Sequence, residues 1–460
     1  MSHDARAWSV LVAGGGPAGA VLALLLRRRG HAVLLVEASR YDGFRPGETL
    51  APHGRSLLSN IGLGERFSAS APLPAHAILS AWGQVGIEER HFLFNPYGSG
   101  WSLDRRRFDA MLAAAAEDEG AVVARQTRVT QVAAHGDGFR VTLDREGERT
   151  EESTRFVVDA TGRGALIACA LGARRVAHDR LIGIARVLER AGPPAGDPGD
   201  VLVLEAAPCG WWYSMPLPGG ALLAVFMTDG DILARSGLDP AGLWERELSR
   251  TSHTRARAGA SPAGEVHVTK AATSCLDRAA GAGWAAVGDA ACAYDPLSAQ
   301  GISKAVGAAI SADVAVDAHL AGDSGPLERY SREVLSAFAG YRETRTRYYG
   351  AETRFPEELF WRRRRAPPVE AAPIWLDPRV LLGADTGLAP AVVLERTAAL
   401  EALLPPSEVA RLVATCSQVA PAHAIARAFR EGAPAPWSDR EILVGLQGLI
   451  TAGVVRRQGG

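Results

Sequence analysis

Lysine is nearly absent from this chain of 460 residues. Lys270 and Lys304 are its only lysines, so arginine supplies all but two of its 50 basic residues. Residues 1–269 therefore cannot supply a Schiff-base lysine, an ammonium acid or a phosphate-binding lysine. Acidic residues number 51, which leaves a formal charge of −1 and removes the simple electrostatic case for binding nucleic acid.

Cysteine is also scarce, and its spacing matches no known motif. The five cysteines are odd in number and include no Cys-x-x-Cys pair; they are Cys169, Cys209, Cys275, Cys292 and Cys416. We therefore expect neither a disulfide framework nor a metal site. The pattern predicts reduced, mostly buried thiols in a cytoplasmic protein.

Long apolar runs are missing as well. No 18 consecutive residues are apolar and free of charge, and the first residues lack an apolar signal core, so we expect no membrane span and no secretory signal. The composition, 47% hydrophobic and 22% charged, is that of a globular chain. The length corresponds to about three domains at roughly 150 residues each.

A glycine-rich stretch near the start predicts a dinucleotide site. Gly14-Gly15-Gly16-Pro17-Ala18-Gly19 fits the pattern G-x-G-x-x-G between a predicted strand, 9–13, and a predicted helix, 17–29. Gly14 would make the tight turn, Gly16 would let a pyrophosphate approach the backbone, and Gly19 would let the helix pack on the strand. Glu37 ends the next predicted strand, where a carboxylate would hold both ribose hydroxyls.

Two later motifs resemble those of a known flavoprotein family. Val287-Gly288-Asp289-Ala290-Ala291 and Asp159-Ala160-Thr161-Gly162 each follow or end a predicted strand. With these spacings the chain resembles the FAD-dependent monooxygenases, halogenases and prenyl-chain reductases with a two-dinucleotide fold. The resemblance implies an enzyme that uses FAD, with O₂ as co-substrate and either NAD(P)H or a separate reductase as electron source.

The resemblance also implies cofactor contacts. Asp289 would lie near the flavin ribityl chain and pyrophosphate, Arg105 beside a phosphate, and the backbone of Val129 against the adenine. Taken alone, Arg105 could be solvated surface and Asp289 a helix N-cap. The implied FAD-binding residues are Gly14, Gly16, Pro17, Ala18, Gly19, Glu37, Arg45, Arg105, Val129, Asp289, Pro296, Gly301 and Ile302. Gly301 and Ile302 begin a predicted helix whose N–H groups could stabilise negative charge on the reduced flavin.

The fold class expected is α/β, with a Rossmann-like FAD-binding domain interleaved with a mixed β-sheet substrate domain. We assign 1–75, 100–180 and 270–345 to the first, 76–99 and 181–269 to the second, 346–377 to a linker, and 378–460 to a small, mainly helical, winged-helix-like C-terminal domain. Seven arginines against six acidic residues over 394–460 give poor support for nucleic-acid binding. A docking module for a peptide substrate fits better, with a dimerisation or stabilising appendage as the alternative.

Three stretches resemble one branch of the family, the flavoproteins that mature tryptophan-derived quinone cofactors in partner enzymes. They are Pro46–Leu50 followed by Pro52, Gly210–Pro216 and Tyr294–Ile302. The resemblance implies hydroxylation of a tryptophan within a protein or peptide during tryptophylquinone biogenesis. A flavin C4a-hydroperoxide would deliver its distal oxygen to the indole.

Candidate catalytic residues and pocket residues lie in or near these stretches. Glu48, His53, Tyr294 and Gln300 are the catalytic candidates, and Trp211, Trp212, Tyr213 and Ser298 are the candidate pocket residues. A strand turns alternate side chains to opposite faces, so at least one of the three aromatic residues should belong to the core. His53 could instead be an ordinary helix-start histidine, and Ser298 and Gln300 could simply satisfy the loop backbone.

Other functions remain open at this stage. An aromatic hydroxylase that binds NAD(P)H would carry an Asp-Gly pair where this chain has Asp159–Gly164. A tryptophan halogenase would carry Trp-x-Trp-x-Ile-Pro, where Trp211–Pro216 keeps only the first Trp and the Pro, and an early lysine, which is missing. A prenyl reductase, with a long apolar tunnel, and a flavin-bound regulator acting through its C-terminal domain are the remaining alternatives.

Overall fold

The computed structural model describes residues 8–84, 86–189, 192, 197–259, 264–365, 381–384, 406–431, 439–451 and 454–458. The chain divides into two compact units. The first comprises Met1–Arg345 and Ala351–Phe355, and the second comprises Thr346–Gly350 and Pro356–Gly460.

The described part of the first unit contains the following elements. Its strands are β1 (Trp8–Ala13), β2 (Val33–Val36), β3 (Thr49–Leu50), β4 (Leu73–Ala75), β5 (Ala77–Ala81), β6 (Glu88–His91), β7 (Gly100–Ser102), β8 (Val122–Ala124), β9 (Thr127–His135), β10 (Gly138–Arg145), β11 (Glu148–Asp159), β12 (Arg175–Ala177), β13 (Leu181–Leu188), β14 (Leu202–Ala207), β15 (Gly210–Pro216), β16 (Leu222–Asp229), β17 (Val266–Lys270), β18 (Ser274–Leu276), β19 (Ala280–Gly281), β20 (Trp284–Ala286) and β21 (Cys292–Ala293). Its helices are α1 (Pro17–Arg28), α2 (Pro52–Asn60), α3 (Gly64–Ala69), α4 (Arg105–Asp118), α5 (Leu166–Ala170), α6 (Gly230–Ser236), α7 (Pro240–Leu248), α8 (His253–Ala258), α9 (Gly301–Leu320) and most of α10 (Gly325–Ala351).

An eight-stranded sheet forms the Rossmann-like part of this unit. Its main path runs β19-β20-β11-β1-β2-β8, and β10 and β9 extend from β11. The central strand β1 is parallel to both neighbours, with Val12 opposite Val158 on one side and Leu35 on the other. All three side chains are buried, which explains why β1 reads as an almost unbroken apolar run. The predicted α/β class is confirmed.

A seven-stranded sheet forms the second layer, in the order β17-β13-β16-β15-β14-β5-β6. Its neighbours pair antiparallel except β14 and β5, so the sheet is mixed, as expected. Alternation along β15 separates its aromatic residues. Trp211 and Tyr213 share one face, whereas Trp212 lies on the other, 4.9 Å from the Phe226 ring and 5.3 Å from the Trp244 ring between centroids.

The second unit is small and mainly helical in its described part. It contains α11 (Leu359–Arg365), helices Pro406–Thr415, Ala422–Glu431 and Asp439–Thr451, and a sheet of β22 (Leu381–Ala384), β23 (Ala420–Pro421) and β24 (Val455–Gln458) in the order β23-β22-β24. Leu382, Leu412, Phe429 and Leu446 belong to one buried cluster. Residues 366–377 and 394–403 lie outside the described part of the chain.

The described part of the segment 346–377, which the sequence assigns to a linker, contains helical residues. Helix α10 continues to Ala351, and the arginine run forms the end of α11. Arg364 is buried, with its guanidinium carbon 3.6 Å from the centre of the Phe360 ring. Stacking of the planar guanidinium on an aromatic ring explains how this charged run can lie partly inside the fold.

The expectation of five reduced thiols is corrected. Cys275 and Cys292 lie directly opposite each other on β18 and β21, and the structure joins them in a disulfide. Cross-strand pairing brings together two residues that are 17 positions apart, which motif spacing does not reveal. Among the described residues, Cys169, Cys209 and Cys416 take no part in a disulfide. Among the described residues, no helix is long and apolar enough to cross a membrane, and no cluster of His, Cys, Asp or Glu could hold a metal ion.

Candidate active site

One cavity of about 660 Å³ joins the glycine-rich turn after β1 to the seven-stranded sheet. At one end it is lined by Gly14, Gly16, Pro17, Ala18, Glu37, Arg45, Arg105 and Val129, and in its middle by Asp289, Pro296, Gly301 and Ile302. The cavity therefore brings together every expected FAD-binding residue except Gly19. Gly19 lies behind this lining, where α1 crosses the turn.

The glycines of the fingerprint differ in what surrounds them. At Gly14, with φ +107°, a Cβ would lie 2.2 Å from the Ala160 carbonyl oxygen, and at Gly19 it would lie 1.9 Å from that of Gly14. At Gly16 a Cβ would meet no described atom within 4 Å. Gly14 and Gly19 thus close the turn onto the fold, whereas Gly16 leaves open space at the N-terminus of α1, as a pyrophosphate requires.

Glu37 and Arg45 line the cavity beside the glycine-rich turn. Glu37 Oε2 accepts the Gly15 N–H at 2.8 Å, and Oε1 accepts from Ser39 and, at 2.6 Å, from Arg45. Burial acts to raise the pKa of Glu37, but the Ser39 hydrogen bonds and the Arg45 charge outweigh it and hold that pKa below its ordinary value. Glu37 is therefore ionised at neutral pH and suited to accept ribose hydroxyls.

Asp109 connects the two arginines at this end, although no sequence motif pointed to it. It is fully buried on α4, and it accepts hydrogen bonds from Arg105 at 3.0 and 2.9 Å and from Arg45 at 3.1 Å. Arg105 is the first residue of α4, so Asp109 is four residues further along the same helix. That i, i+4 spacing was the signal that could have revealed the pair.

Asp289 lies in the turn between β20 and β21, so the alternative of a helix N-cap does not apply. Its carboxylate lies 2.7 Å from Lys304 Nζ and 3.5 Å from Arg163 Nε. Burial acts to raise the pKa of Asp289, but Lys304 and Arg163 outweigh burial and keep that pKa below its ordinary value. Lys304 and Arg163 are two further residues that the motif search did not single out.

The loop before α9 forms the middle wall of the cavity. Tyr294, Asp295, Pro296, Leu297 and Ala299 line it and lead directly to Gly301, the first residue of α9. Asp295 caps the short turn Pro296–Ser298, because its Oδ1 accepts the Leu297 N–H at 2.9 Å. The N-terminus of this 20-residue helix therefore points its free N–H groups toward the cavity.

The far end of the cavity, formed by the seven-stranded sheet, is mostly apolar and includes one buried carboxyl. Its walls comprise Gly183, Ala185, Leu202, Leu204, Trp211, Tyr213, Val225, Met227 and Thr269. Glu48, 4% exposed, lines the same end, and its Oε2 accepts the Gly47 N–H at 3.0 Å. Its Oε1 has no hydrogen-bond partner among the described residues. Burial raises the pKa of Glu48 to about 7.

Besides Gly19, four of the predicted catalytic and pocket residues lie outside the cavity lining. Trp212 packs in the core on the opposite face of β15, His53 is half-buried on α2 beside the Tyr97 ring, and Ser298 and Gln300 precede α9. Ser298 Oγ donates to the Asp295 carbonyl at 3.2 Å, so it satisfies the loop backbone. Gln300 is exposed as the N-cap residue of α9. Strand alternation explains why Trp212 lies in the core, and the loop hydrogen bond explains the position of Ser298.

Together, the fold and the cavity define a dinucleotide-binding flavoprotein. The family model described as "FAD binding domain" matches residues 7–340, so the chain belongs to that family. It is a flavoprotein oxidoreductase, and FAD is its cofactor. Enzymes of this family typically use O₂ together with a reduced nicotinamide or a reductase.

Similar proteins fall into two groups by name. The chain is 28% identical to the "Putative FAD-dependent oxidoreductase LodB" of Marinomonas mediterranea, over 78% of this chain and 98% of that protein. It is 25% identical to the "Flavin-dependent halogenase armH5" of Armillaria mellea, over 67% and 64%.

Two solved structures resemble the fold over most of its length. The chondrochloren halogenase CndH aligns with TM-score 0.74 and 20% identity, over 97% of this chain and 99% of that one. The peptidyl tryptophan dihydroxylase QhpG aligns with TM-score 0.63 and 25% identity, over 79% and 80%.

Proposed function

We propose that this protein is an FAD-dependent monooxygenase that hydroxylates a tryptophan side chain within a protein or peptide during tryptophylquinone cofactor biogenesis. The observation that carries the proposal is Glu48. A buried carboxyl with an unpaired oxygen shares the apolar end of the FAD cavity with two aromatic walls, Trp211 and Tyr213. An indole has one N–H donor on a flat apolar ring, and this set of groups matches both features.

The chain's own residues would bind and orient the indole and receive its proton. Glu48 Oε1 would accept the indole N–H, which increases the electron density of the ring as oxygen is transferred. Because burial raises the pKa of Glu48 to about 7, this carboxyl can exchange a proton near neutral pH. Trp211 and Tyr213 would pack against the ring, and Leu202, Leu204 and Val225 would exclude water.

FAD, once reduced, supplies the chemistry that activates O₂. One oxygen atom enters the indole in place of a hydrogen, and the other leaves as water. A reduced nicotinamide or a reductase provides the two electrons. The N–H groups at the start of α9 and the loop Asp295–Ala299 would lie against the electron-rich end of the reduced cofactor.

The names of two similar proteins support the proposal that the substrate tryptophan lies within a peptide or protein. QhpG is titled a peptidyl tryptophan dihydroxylase essential for tryptophylquinone cofactor biogenesis, and LodB, a putative FAD-dependent oxidoreductase, is matched over 98% of its length by 78% of this chain. We propose that the second unit serves as a docking module for the polypeptide that carries the target tryptophan. A cytoplasmic location remains a prediction.

Single-turnover mass spectrometry tests the activity. Enzyme loaded with FAD and reduced by NADH, NADPH or light is mixed with O₂ and a tryptophan-containing peptide. We expect the peptide to gain about 16 or 32 mass units, one or two oxygen atoms, taken from ¹⁸O₂ when it is supplied. The matched peptide with Phe in place of Trp should remain unchanged. Reduced flavin that yields only hydrogen peroxide, with every peptide intact, would reject the proposal.

A second candidate is a small-molecule flavin oxidoreductase, either an aromatic hydroxylase, a prenyl reductase or a halogenase-like enzyme. The apolar lining of the far end and the halogenase names among the relatives favour it. For halogenation, Lys304 is bound to Asp289, so Lys270, which lines the cavity on β17, is the one lysine left to carry the halogen. Oxidation or bromination of free tryptophan or phenols, with intact peptides left unmodified, would favour this second candidate.

A further inference from the structure

A buried arginine behind the cavity joins two carboxylates that are distant in sequence. Arg345, on α10, donates from Nε to Asp295 Oδ2 at 3.1 Å and from Nη2 to Asp179 Oδ2 at 2.7 Å. The three side chains are 8%, 1% and 9% exposed, respectively. A buried guanidinium that binds two carboxylates resists displacement, because loss of either contact leaves an uncompensated charge.

Each carboxylate uses its other oxygen to hold the backbone. Asp295 Oδ1 accepts the Leu297 N–H at 2.9 Å, inside the loop that forms the middle wall of the cavity. Asp179 Oδ1 accepts the N–H groups of Leu181 at 3.1 Å and Thr273 at 3.0 Å. Leu181 is the first residue of β13, and Thr273 follows shortly after β17.

The two ends of this set of contacts lead to two separate parts of the cavity lining, the loop before α9 and strands β13 and β17. The loop contributes Asp295, Pro296, Leu297 and Ala299 to the lining, and β13 and β17 contribute Gly183, Ala185, Thr269 and Lys270. An aromatic contact strengthens the loop end. The rings of Tyr294 and Tyr341 stack at 3.8 Å, and the Tyr341 hydroxyl accepts the Asp295 N–H at 2.6 Å.

We propose that Arg345 is a positioning residue that fixes the distance between the cofactor-facing loop and the substrate-facing strands. The proposal rests on the proposed function, because the distance matters only where a group held by the loop must meet a substrate held by the sheet. Arg345 itself does not line the cavity, so it acts only through the residues that it holds. With Arg345 in place, oxygen is transferred to the indole. Without it, the two walls separate, and the two electrons and the oxygen leave together as hydrogen peroxide.

The test compares FAD-loaded wild type with R345Q and R345K. In single turnovers with the tryptophan peptide, we expect R345Q to raise the ratio of hydrogen peroxide to oxygenated peptide about tenfold or more, because misplacement on the order of 1 Å can reduce a rate about a hundredfold. R345K should recover part of the coupling, since one ammonium can still bind one carboxylate. The control R186Q removes an arginine of similar burial that binds Glu245 at 3.0 Å on the opposite face of β13.

Hydrogen exchange gives a readout that does not depend on activity. In FAD-loaded R345Q, the amides of Leu297, Leu181 and Thr273 should exchange about tenfold faster or more, since a lost anchor increases local opening. R186Q should leave these amides unchanged. If R345Q does not fold, the triple variant R345M/D179N/D295N removes all three charges and should show the same exchange and the same uncoupling.

The outcomes separate the two proposals. Wild type that oxygenates no peptide rejects the proposed function, and hydrogen exchange then decides on Arg345 alone. Wild-type exchange in folded R345Q, or equal uncoupling in R345Q and R186Q, overturns the assignment of Arg345.

Discussion

Glu37 and Glu48 are two carboxyls in one cavity whose surroundings shift their pKa values in opposite directions. Ser39 and Arg45 keep the pKa of Glu37 below its ordinary value despite burial, whereas burial raises the pKa of Glu48 to about 7. Carboxyls with separated pKa values can take different roles in one site. Glu37, which stays ionised, is suited to accept hydrogen bonds from ribose hydroxyls. Glu48 is suited to reversible proton exchange with a substrate near neutral pH.

Replacement of Glu48 by Gln should change both activity and the pH dependence of stability. The carboxylate is the form that accepts the indole proton, so wild-type turnover should rise with pH through about 7. We expect E48Q to lose at least about a hundredfold in rate, the lower range for general-base catalysis. Turnover measured from pH 5 to 9 checks both statements.

The stability effect has a definite sign. The pKa of Glu48 in the folded protein lies above its ordinary 4.5, so the neutral form favours folding, and that stability is lost as pH rises toward 7. The pKa shift from 4.5 to about 7 corresponds to a loss of about 3 kcal/mol, because each pKa unit is worth ~1.4 kcal/mol. Urea unfolding of the FAD-free protein should show this loss in wild type and not in E48Q. A parallel pH profile for both proteins would contradict the buried position of Glu48.

Gly16 and Gly19 should respond differently to the same substitution. In G19A the new methyl would lie 1.9 Å from the Gly14 carbonyl oxygen, so α1 could not pack on the turn, and we expect little folded protein. In G16A the methyl enters open space, so the protein should fold with an unchanged melting temperature and lose FAD affinity. Flavin fluorescence titration and thermal unfolding measure the two effects. Unchanged FAD affinity in G16A would show that the pyrophosphate does not bind at this turn.

At the scale of elements, local patterns predicted the site well where one strand or one helix start sets the geometry. The fingerprint, Asp289 and the start of α9 all lie in the cavity because each follows directly from a strand end or a helix N-terminus. Contacts between distant elements were not predictable in this way. Arg163, the Cys275–Cys292 pair and the Arg45 contact of Asp109 reach their partners through tertiary packing, which one sequence does not encode as a local motif.

The strand β15 gives a matched pair of substitutions. Trp211 lines the cavity, whereas Trp212 packs between Phe226 and Trp244 in the core. We expect W211F to raise KM for the tryptophan peptide about threefold to tenfold, because an aromatic pair contributes about 0.5–1.5 kcal/mol. W212F should leave KM unchanged and lower the melting temperature. Steady-state kinetics and thermal unfolding of both variants measure this, and a larger KM effect in W212F would reverse the assignment of the two faces.

At the scale of the whole molecule, cofactor binding and the second unit are separable. All residues that line the cavity lie between Ala13 and Ala305, inside the first unit. That unit also includes Glu352, whose carboxylate accepts the Gly83 N–H at 2.8 Å and so ties residues 351–355 to the seven-stranded sheet. A domain with its own core can fold alone, and the first unit has one that spans the Rossmann-like sheet and α9.

A chain that ends after Phe355 should therefore bind FAD within about threefold of the full-length affinity, a difference below about 1 kcal/mol. If the second unit docks the polypeptide substrate, kcat/KM for a long polypeptide should fall about tenfold or more in the shortened chain, as expected when a second attachment point is lost. Oxygenation of a three-residue tryptophan peptide should not change, because its contacts lie within the cavity. Equal loss for long and short substrates would assign the second unit a stabilising role instead. A folded but FAD-free shortened chain would show that the two units cooperate in binding the cofactor.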